Sequence, residues 1–405
     1  MKNLNFPILL TGIAISLNAH AAGFDSSYFP SDMFFGPSRV QVNLSKTTAN
    51  LKGNLTGNDL SGSTQNITTN DIYAHKATPV IAGRYQWKQF GISAQYQQPF
   101  RVNTYYMPNQ NIVMLPTASE LKTEMFTSMI SYTHPSALTK GTLTVTAGVN
   151  RISGTGILGT DVTGTGGTFD YALKFKTGYF PSMGVAFEMP EYALKATFMY
   201  HQELKSSATG VLSLTQAACD SLTGGSMSTV CATSPKYPVT STENTVLSPT
   251  RYQVHFETGV HPRWGIAAGY IYANWKRTSE LKLSAPDFTP LASISSPLFK
   301  RDGQYFYGAI AHKLTDKILL STGVFHEKGS NEIVSLRSAS AGGVTSYSLG
   351  SSVALTKQLT LSGRFSVIKA KETIVQQVNT TGTISGKFPS ANGHNLNLRM
   401  EYSLV

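Results

Sequence analysis

Residues 260–275 read VHPRWGIAAGYIYANW. After the polar turn His261-Pro262-Arg263, alternate positions are mostly large and apolar: Trp264, Ile266, Ala268, Tyr270 and Tyr272. Between them lie Gly265, Ala267, Gly269, Ile271 and Ala273, mostly small. A period of two is the signature of a strand with two unlike faces. The preceding stretch repeats it, with Tyr252, Val254, Phe256 and Val260 against Arg251, Gln253, His255 and Glu257. So does the end of the chain, where Leu396, Leu398, Met400, Tyr402 and Leu404 alternate with Asn395, Asn397, Arg399, Glu401 and Ser403.

A water-soluble sandwich alternates in the same way, so the connections must decide. Short ones fall at Trp87–Phe90, Pro135–Gly141, Met189–Tyr192, His261–Trp264, Leu314–Lys317 and Leu355–Gln358. Longer segments rich in Gly, Ser, Thr and Asn fall at 50–72, 103–120, 152–168, 205–245, 279–300, 327–343 and 372–392. Short and long alternate strictly. Six turns and seven loops join fourteen strands, with both chain ends on the turn side. The expectation is an all-β fold, a fourteen-stranded antiparallel transmembrane β-barrel with turns on one side of the membrane and loops on the other. A closed ring leaves no backbone group unpaired in lipid. No composition shift divides it, so the barrel is taken as one domain, residues 38–405.

Lys2, the apolar stretch Phe6–Leu17 and the small-x-small site Ala19-His20-Ala21 predict a signal peptide over residues 1–21. Residues 22–37 form a short plug-like segment before the first strand. Charged residues make up only 14% of the chain, against about a quarter in an ordinary soluble domain. The net charge of +11 is scattered, which gives nucleic acid no focused footprint. It suits contact with anionic lipid and lipopolysaccharide. Cys219 and Cys231, in an exported chain, are expected to close a loop as a disulfide.

The stretch LSPTRYQVHFETGVHPRWGIAAGYIYANWKRTSELKL, residues 247–283, resembles the FadL family of outer-membrane transporters for long-chain fatty acids and aromatic hydrocarbons. That family has a similar strand–turn–strand with a proline–x–tryptophan turn. The resemblance extends to FKRDGQYFYGAIAHKLTDKILLSTGVFHE at 299–327, to Ala22-Gly23-Phe24 and to the last hairpin. It implies a fourteen-stranded channel in the bacterial outer membrane, passing hydrophobic molecules by diffusion, as a monomer and without a cofactor. It also implies an Arg and a Lys at the outer rim for a fatty-acid carboxylate, carried here by Arg151 and Lys300. The chain departs from the family in lacking its full N-terminal hatch and the Asn-Pro-Ala signature; FDSSYFPSDMFFGPS could make only a small apolar plug.

No catalytic pattern stands out: the chain holds no His-Glu-x-x-His, Cys-x-x-Cys or Gly-x-Ser-x-Gly, so no enzyme activity and no metal site are expected. The charges Arg251, His255, Glu257, Arg364, Arg399 and Glu401 share the polar phase and are expected inside, paired with one another. The stretch Gly91–Pro99 is a candidate for a lateral opening, since proline removes a ladder bond. The alternatives to uptake of a hydrophobic solute are a surface adhesin or structural barrel and a general porin.

Overall fold

The computed structural model describes residues 31–69, 72, 76–99, 101–107, 111–136, 140–225, 228–233, 235–241, 245–275, 280–291, 294–297, 302–328, 336, 343–379 and 382–404. The wall strands are β1 (Arg39–Ala49), β2 (Lys76–Trp87), β3 (Phe90–Gln97), β4 (Leu115–Ser136), β5 (Gly141–Asp161), β6 (Thr168–Met189) and β7 (Leu194–His201). They continue as β8 (Arg251–His261), β9 (Trp264–Ala273), β10 (Gly303–Lys313), β11 (Ile318–Glu327), β12 (Val344–Ala354), β13 (Leu359–Ala370) and β14 (Ala391–Ser403). Each pairs antiparallel with its neighbour in the chain, from β1–β2 round to β13–β14. Pairing of β1 with β14, Arg39 opposite Ser403, closes the fourteen-strand ring. All six short connections lie where the alternation places them.

The two faces separate a membrane barrel from a sandwich. Large apolar side chains are on the outside: Ile130 is 67% exposed and Leu349 66%. Polar ones are enclosed: Arg39 and Gln41 are 1% exposed and Asn150 is fully buried. A soluble fold has the reverse arrangement, because water rewards the burial of apolar area. Here lipid is the outer solvent. Within the opening stretch, Trp264 and Ile266 face out, and Ala267, Ile271 and Ala273 face in.

The long connections differ from the sequence expectation. Residues 152–168 are not a loop: β5 runs on to Asp161 and β6 starts at Thr168. Likewise β4 begins at Leu115, inside the segment read as loop 103–120. The outward side chains show where lipid ends. Phe126, Arg151 and Tyr179 stand in one cross-strand row. Towards the turns the outward residues are apolar (Ile130, Val149, Met183); away from them come Lys122, Glu124, Lys174 and Lys176. Phe126–Ser136, Gly141–Arg151 and Tyr179–Met189 are eleven residues each. That is about what a tilted strand needs to cross the apolar layer. The remainder of β4–β6 stands free of the membrane.

Outside the membrane the chain builds further structure on this palisade. Strands Ala208–Leu214 and Lys236–Ser241 continue the sheet from β6. Asn54–Asn58, Thr64–Thr68, Thr373–Asn379 and Gly382–Phe388 form a separate four-stranded sheet. The tight β5–β6 connection is held by buried Asp161, whose carboxylate accepts from the backbone N–H groups of Thr163, Gly164 and Gly166. Gly164 and Gly166 take φ of +70° and +98°, which side chains disfavour.

Candidate functional site: an apolar inner cluster and a buried N-terminal segment

The inner face of β6 above the membrane carries Phe169, Tyr171, Leu173 and Phe175, all buried. The short helix Gln216–Thr223 covers them, bringing Ala218 and Cys219. Its start is fixed by Thr215, whose hydroxyl accepts from Ala218 N–H, and its end by Gly224 in the left-handed region. Cys219 and Cys231 are joined by a disulfide, as the sequence predicts, and both are fully buried. A cross-link over 12 residues of separation stabilises its loop by about 3 kcal/mol in the loop-entropy view. Replacing both cysteines by serine is expected to make residues 216–231 a site of protease nicking. The barrel below should keep its heat-resistant migration on a gel; loss of that migration would mean the bridge supports the whole fold.

The same apolar cluster descends into the barrel. It is continuous with Ala267, Ile271 and Ala273 of β9, Tyr305, Tyr307 and Ala309 of β10, and Phe325 of β11. The small β9 lining is partly occupied by the wall itself. A side chain at Gly269 would lie 2.1 Å from the Tyr307 ring. That ring needs the glycine, and its hydroxyl is 2.7 Å from His255 Nδ1.

Charges on the polar phase are inside, and several are paired with one another. Arg399 and Arg39 meet Glu401, His255 meets Glu257, and Lys195 meets Glu188. Arg251 and Arg364 are buried on the same face.

At the turn end, residues 31–37 enter the lumen; residues 22–30 lie outside the described residues. Met33, Phe34 and Phe35 are fully buried. Phe34 and Phe35 pack on Met129, Ala186 and Met199 of β4, β6 and β7. Arg84 of β2 clasps the segment from the other side. Its Nη1 donates to Phe34 O and its Nε to Gly36 O, each at 2.8 Å. Gly184 leaves space for Met199 and the Phe35 ring. The sequence reading did not single out Arg84. Its parity with inward Val80 and Ala82 was the available signal.

Arg151 is exposed and outward, between inward Asn150 and Ile152. It stands in the row where the outward side chains change from apolar to charged. Lys300 falls outside the described residues. Of the pair, the structure therefore places Arg151 alone, on the outer face of the wall.

The Gly91–Pro99 stretch does not open the wall within the membrane. Phe90–Gln97 pair without interruption with β2 and with β4. Pairing with β4 lapses only between Gln97 and Arg101, opposite the residues above Phe126. Proline at 99 acts there at the rim. On the lipid side of β2–β5 there is instead a shallow groove of about 860 Å³, floored by Gly83, Ala94, Ser128 and Ala147.

No protein-family model matches the chain, and no curated protein matches its sequence. Solved structures do match in fold. A Pseudomonas aeruginosa FadL homologue superposes with a TM-score of 0.76 at 15% identity, over 97% of both chains. The Ralstonia pickettii toluene transporter TbuX gives 0.60 at 14% identity, over 97% of this chain and 98% of that one. The Pseudomonas putida toluene transporter TodX gives 0.62 at 12%, over 96% and 98%. The chain thus has the FadL-type barrel fold.

Proposed function

We propose that this protein is an outer-membrane channel that admits hydrophobic small molecules by diffusion, working as a monomer and without catalysis. The observation that carries the proposal is the single apolar cluster that runs from beneath the disulfide-closed cap to the β9–β10 wall. A polar porin would line that route with charge and water. A solute entering here stays in contact with aromatic and aliphatic side chains, which is what an apolar ligand requires. Toluene and fatty-acid chains both fit that chemistry, and the toluene transporters of the same fold support the reading. Met33–Phe35 are buried at the turn end of the barrel, and on this reading the segment they belong to moves aside to let a solute pass.

The test is uptake of radiolabelled toluene and oleate by cells lacking their own hydrophobic channels, with and without this protein. Protein-dependent uptake of at least one is expected. A folded barrel in the membrane that passes neither would overturn the proposal and favour an adhesin or structural role. An Arg151→Ala, Lys300→Ala double variant examines a carboxylate grip at the rim. Arg151 faces outward, so oleate uptake should change less than about twofold. A selective fall in oleate uptake would instead restore these cations to the route.

A further inference from the structure

The outer surface of β1–β6 carries two features that meet at Arg151. The first is the lipid-side groove. Its axis is one cross-strand row of outward positions, Val40, Gly83, Ala94, Ser128 and Val149, each directly opposite the next. In the middle of the row Gly83 has no side chain, and Ala94 and Ser128 have short ones. The neighbouring outward row towards the turns is Tyr85, Ile92 and Ile130, all exposed. On the other side the neighbouring row is Ile81, Tyr96 and Phe126. The groove is thus a trench one residue wide between two large apolar ridges.

The trench also climbs. Val40 lies one residue from the turn end of β1, Gly83 and Ala94 four from Trp87 and Phe90, and Val149 eight from Gly141. Tilted strands turn a row perpendicular to them into an oblique path through the apolar layer. Four strand spacings make the path about 19 Å long. One leaflet is about 15 Å deep, so a single acyl chain matches the length of the path.

The second feature stands at its upper end. Arg151 follows Val149 on the outward face of β5. Lys176 and Lys174 lie beyond it on β6, with Lys174 opposite Thr155, four residues past Arg151. All three side chains are exposed. None has an ion-pair partner among the described residues, whereas Glu124 is paired with Lys122 and Glu203 with Lys205. The three cations are spread over roughly 10 Å of height. On β7–β10 the outward positions away from the turns are aromatic instead, with Tyr200 against Tyr252 and Tyr270 against Phe306.

We infer that this face binds a phosphorylated glycolipid of the surrounding membrane, with its sugar phosphates on Arg151, Lys174 and Lys176 and one acyl chain in the groove below. The inference rests on the outer-membrane reading and not on what the channel carries. Phosphate monoesters carry close to two negative charges, and Arg and Lys both hold them. A phospholipid offers one phosphodiester at one level. A saccharide with two phosphates spans the height over which the cations are spread. An uncharged lipid would leave the cations unanswered, and free phosphate would leave the groove without a role.

The test uses the full barrel in detergent micelles and native mass spectrometry, which counts retained lipid molecules. The probes are lipid A with two phosphates, the same lipid dephosphorylated, and phosphatidylglycerol. The native protein is expected to retain diphosphorylated lipid A about tenfold better than either of the others. Arg151→Ala with Lys174→Ala and Lys176→Ala should abolish that preference. Lys328→Ala with Lys369→Ala and Lys371→Ala removes the same charge from other strands, and should change retention less than about twofold. Ala94→Leu with Ser128→Leu fills the groove and should lower lipid A retention about fivefold. Heat-resistant gel migration checks folding, and Arg151→Gln alone serves if the triple variant is not folded. Equal retention of the three probes would overturn the inference, as would an equal loss in the two lysine-containing variants. Displacement of lipid A by inorganic phosphate at constant ionic strength would overturn it as well, and so would a filled groove that retains lipid A like the native protein. Recovery of the protein outside the outer-membrane fraction would sink the outer-membrane reading, while the retention ratios judge this face by themselves.

Discussion

Replacing Arg84 by alanine is expected to turn a closed barrel into a leaky one. Its guanidinium makes two bonds to plug carbonyls, at Phe34 and Gly36. Charge-assisted bonds are worth about 1.5–3 kcal/mol each, so their loss should raise the population with the plug displaced by roughly a hundredfold or more. Phe34 and Phe35 also pack on Met129, Ala186 and Met199. The readout is ion conductance across a planar bilayer, where the native protein should be nearly silent and the variant should flicker open. Arg84→Lys keeps the charge but not the two-pronged geometry, and should fall between them. Conductance unchanged in Arg84→Ala would show that packing alone keeps the segment in place. The variant should also pass toluene faster, if plug movement limits the flux.

The second large effect concerns stability. A carbon added to Gly148 on β5 would lie 2.0 Å from Ser128 O and 2.7 Å from Met129 Cα. Both are backbone atoms of β4, which cannot swing away as a side-chain tip can. Gly148→Ala must therefore push two hydrogen-bonded strands apart, and a loss of roughly 3 kcal/mol or more is expected. The internal control is Gly363→Ala on β13, where the new carbon meets nothing closer than 3.8 Å. There the change should be within about 1 kcal/mol, and a stiffer unfolded chain favours a small gain. Urea titration of the two variants in lipid vesicles, followed by tryptophan fluorescence, compares them directly. Equal midpoints would mean that β4 and β5 can separate without cost.

Much of this architecture is legible in the residues. The period of two fixes strand faces, and the short turns fix their number, because lipid demands an apolar outer phase for the whole height of the wall. Strand parity also carries information about sites. Arg151 shares parity with the outward Val145 and Val149, so its direction away from the lumen follows from the alternation. Reading it as a rim ligand follows family resemblance instead of parity. Two things are not legible. Residues 152–168 are rich in Gly and Thr, which suggests a loop. They remain strands because the β4–β6 ladder continues past the membrane and their inner face is covered by the Cys219 helix. The clasp of Arg84 on a segment 48 residues away joins side chain to carbonyl, and a carbonyl has no sequence signature.

The free-standing halves of β4, β5 and β6 give the molecule a height as well as a pore. Ten or eleven residues continue past the Phe126–Arg151–Tyr179 row on each strand. At a tilt near 40° they rise roughly 25 Å further. The entrance is therefore a chimney on one side of the barrel, and the cell surface around it is uneven at that scale. On the proposed channel reading, an oily droplet or surfactant micelle touches the chimney top before it touches lipid. The rate of delivery from such particles is then a matter of collision with a raised collar, and shearing or trimming the collar would slow capture from droplets while leaving uptake of freely dissolved molecules much as it was.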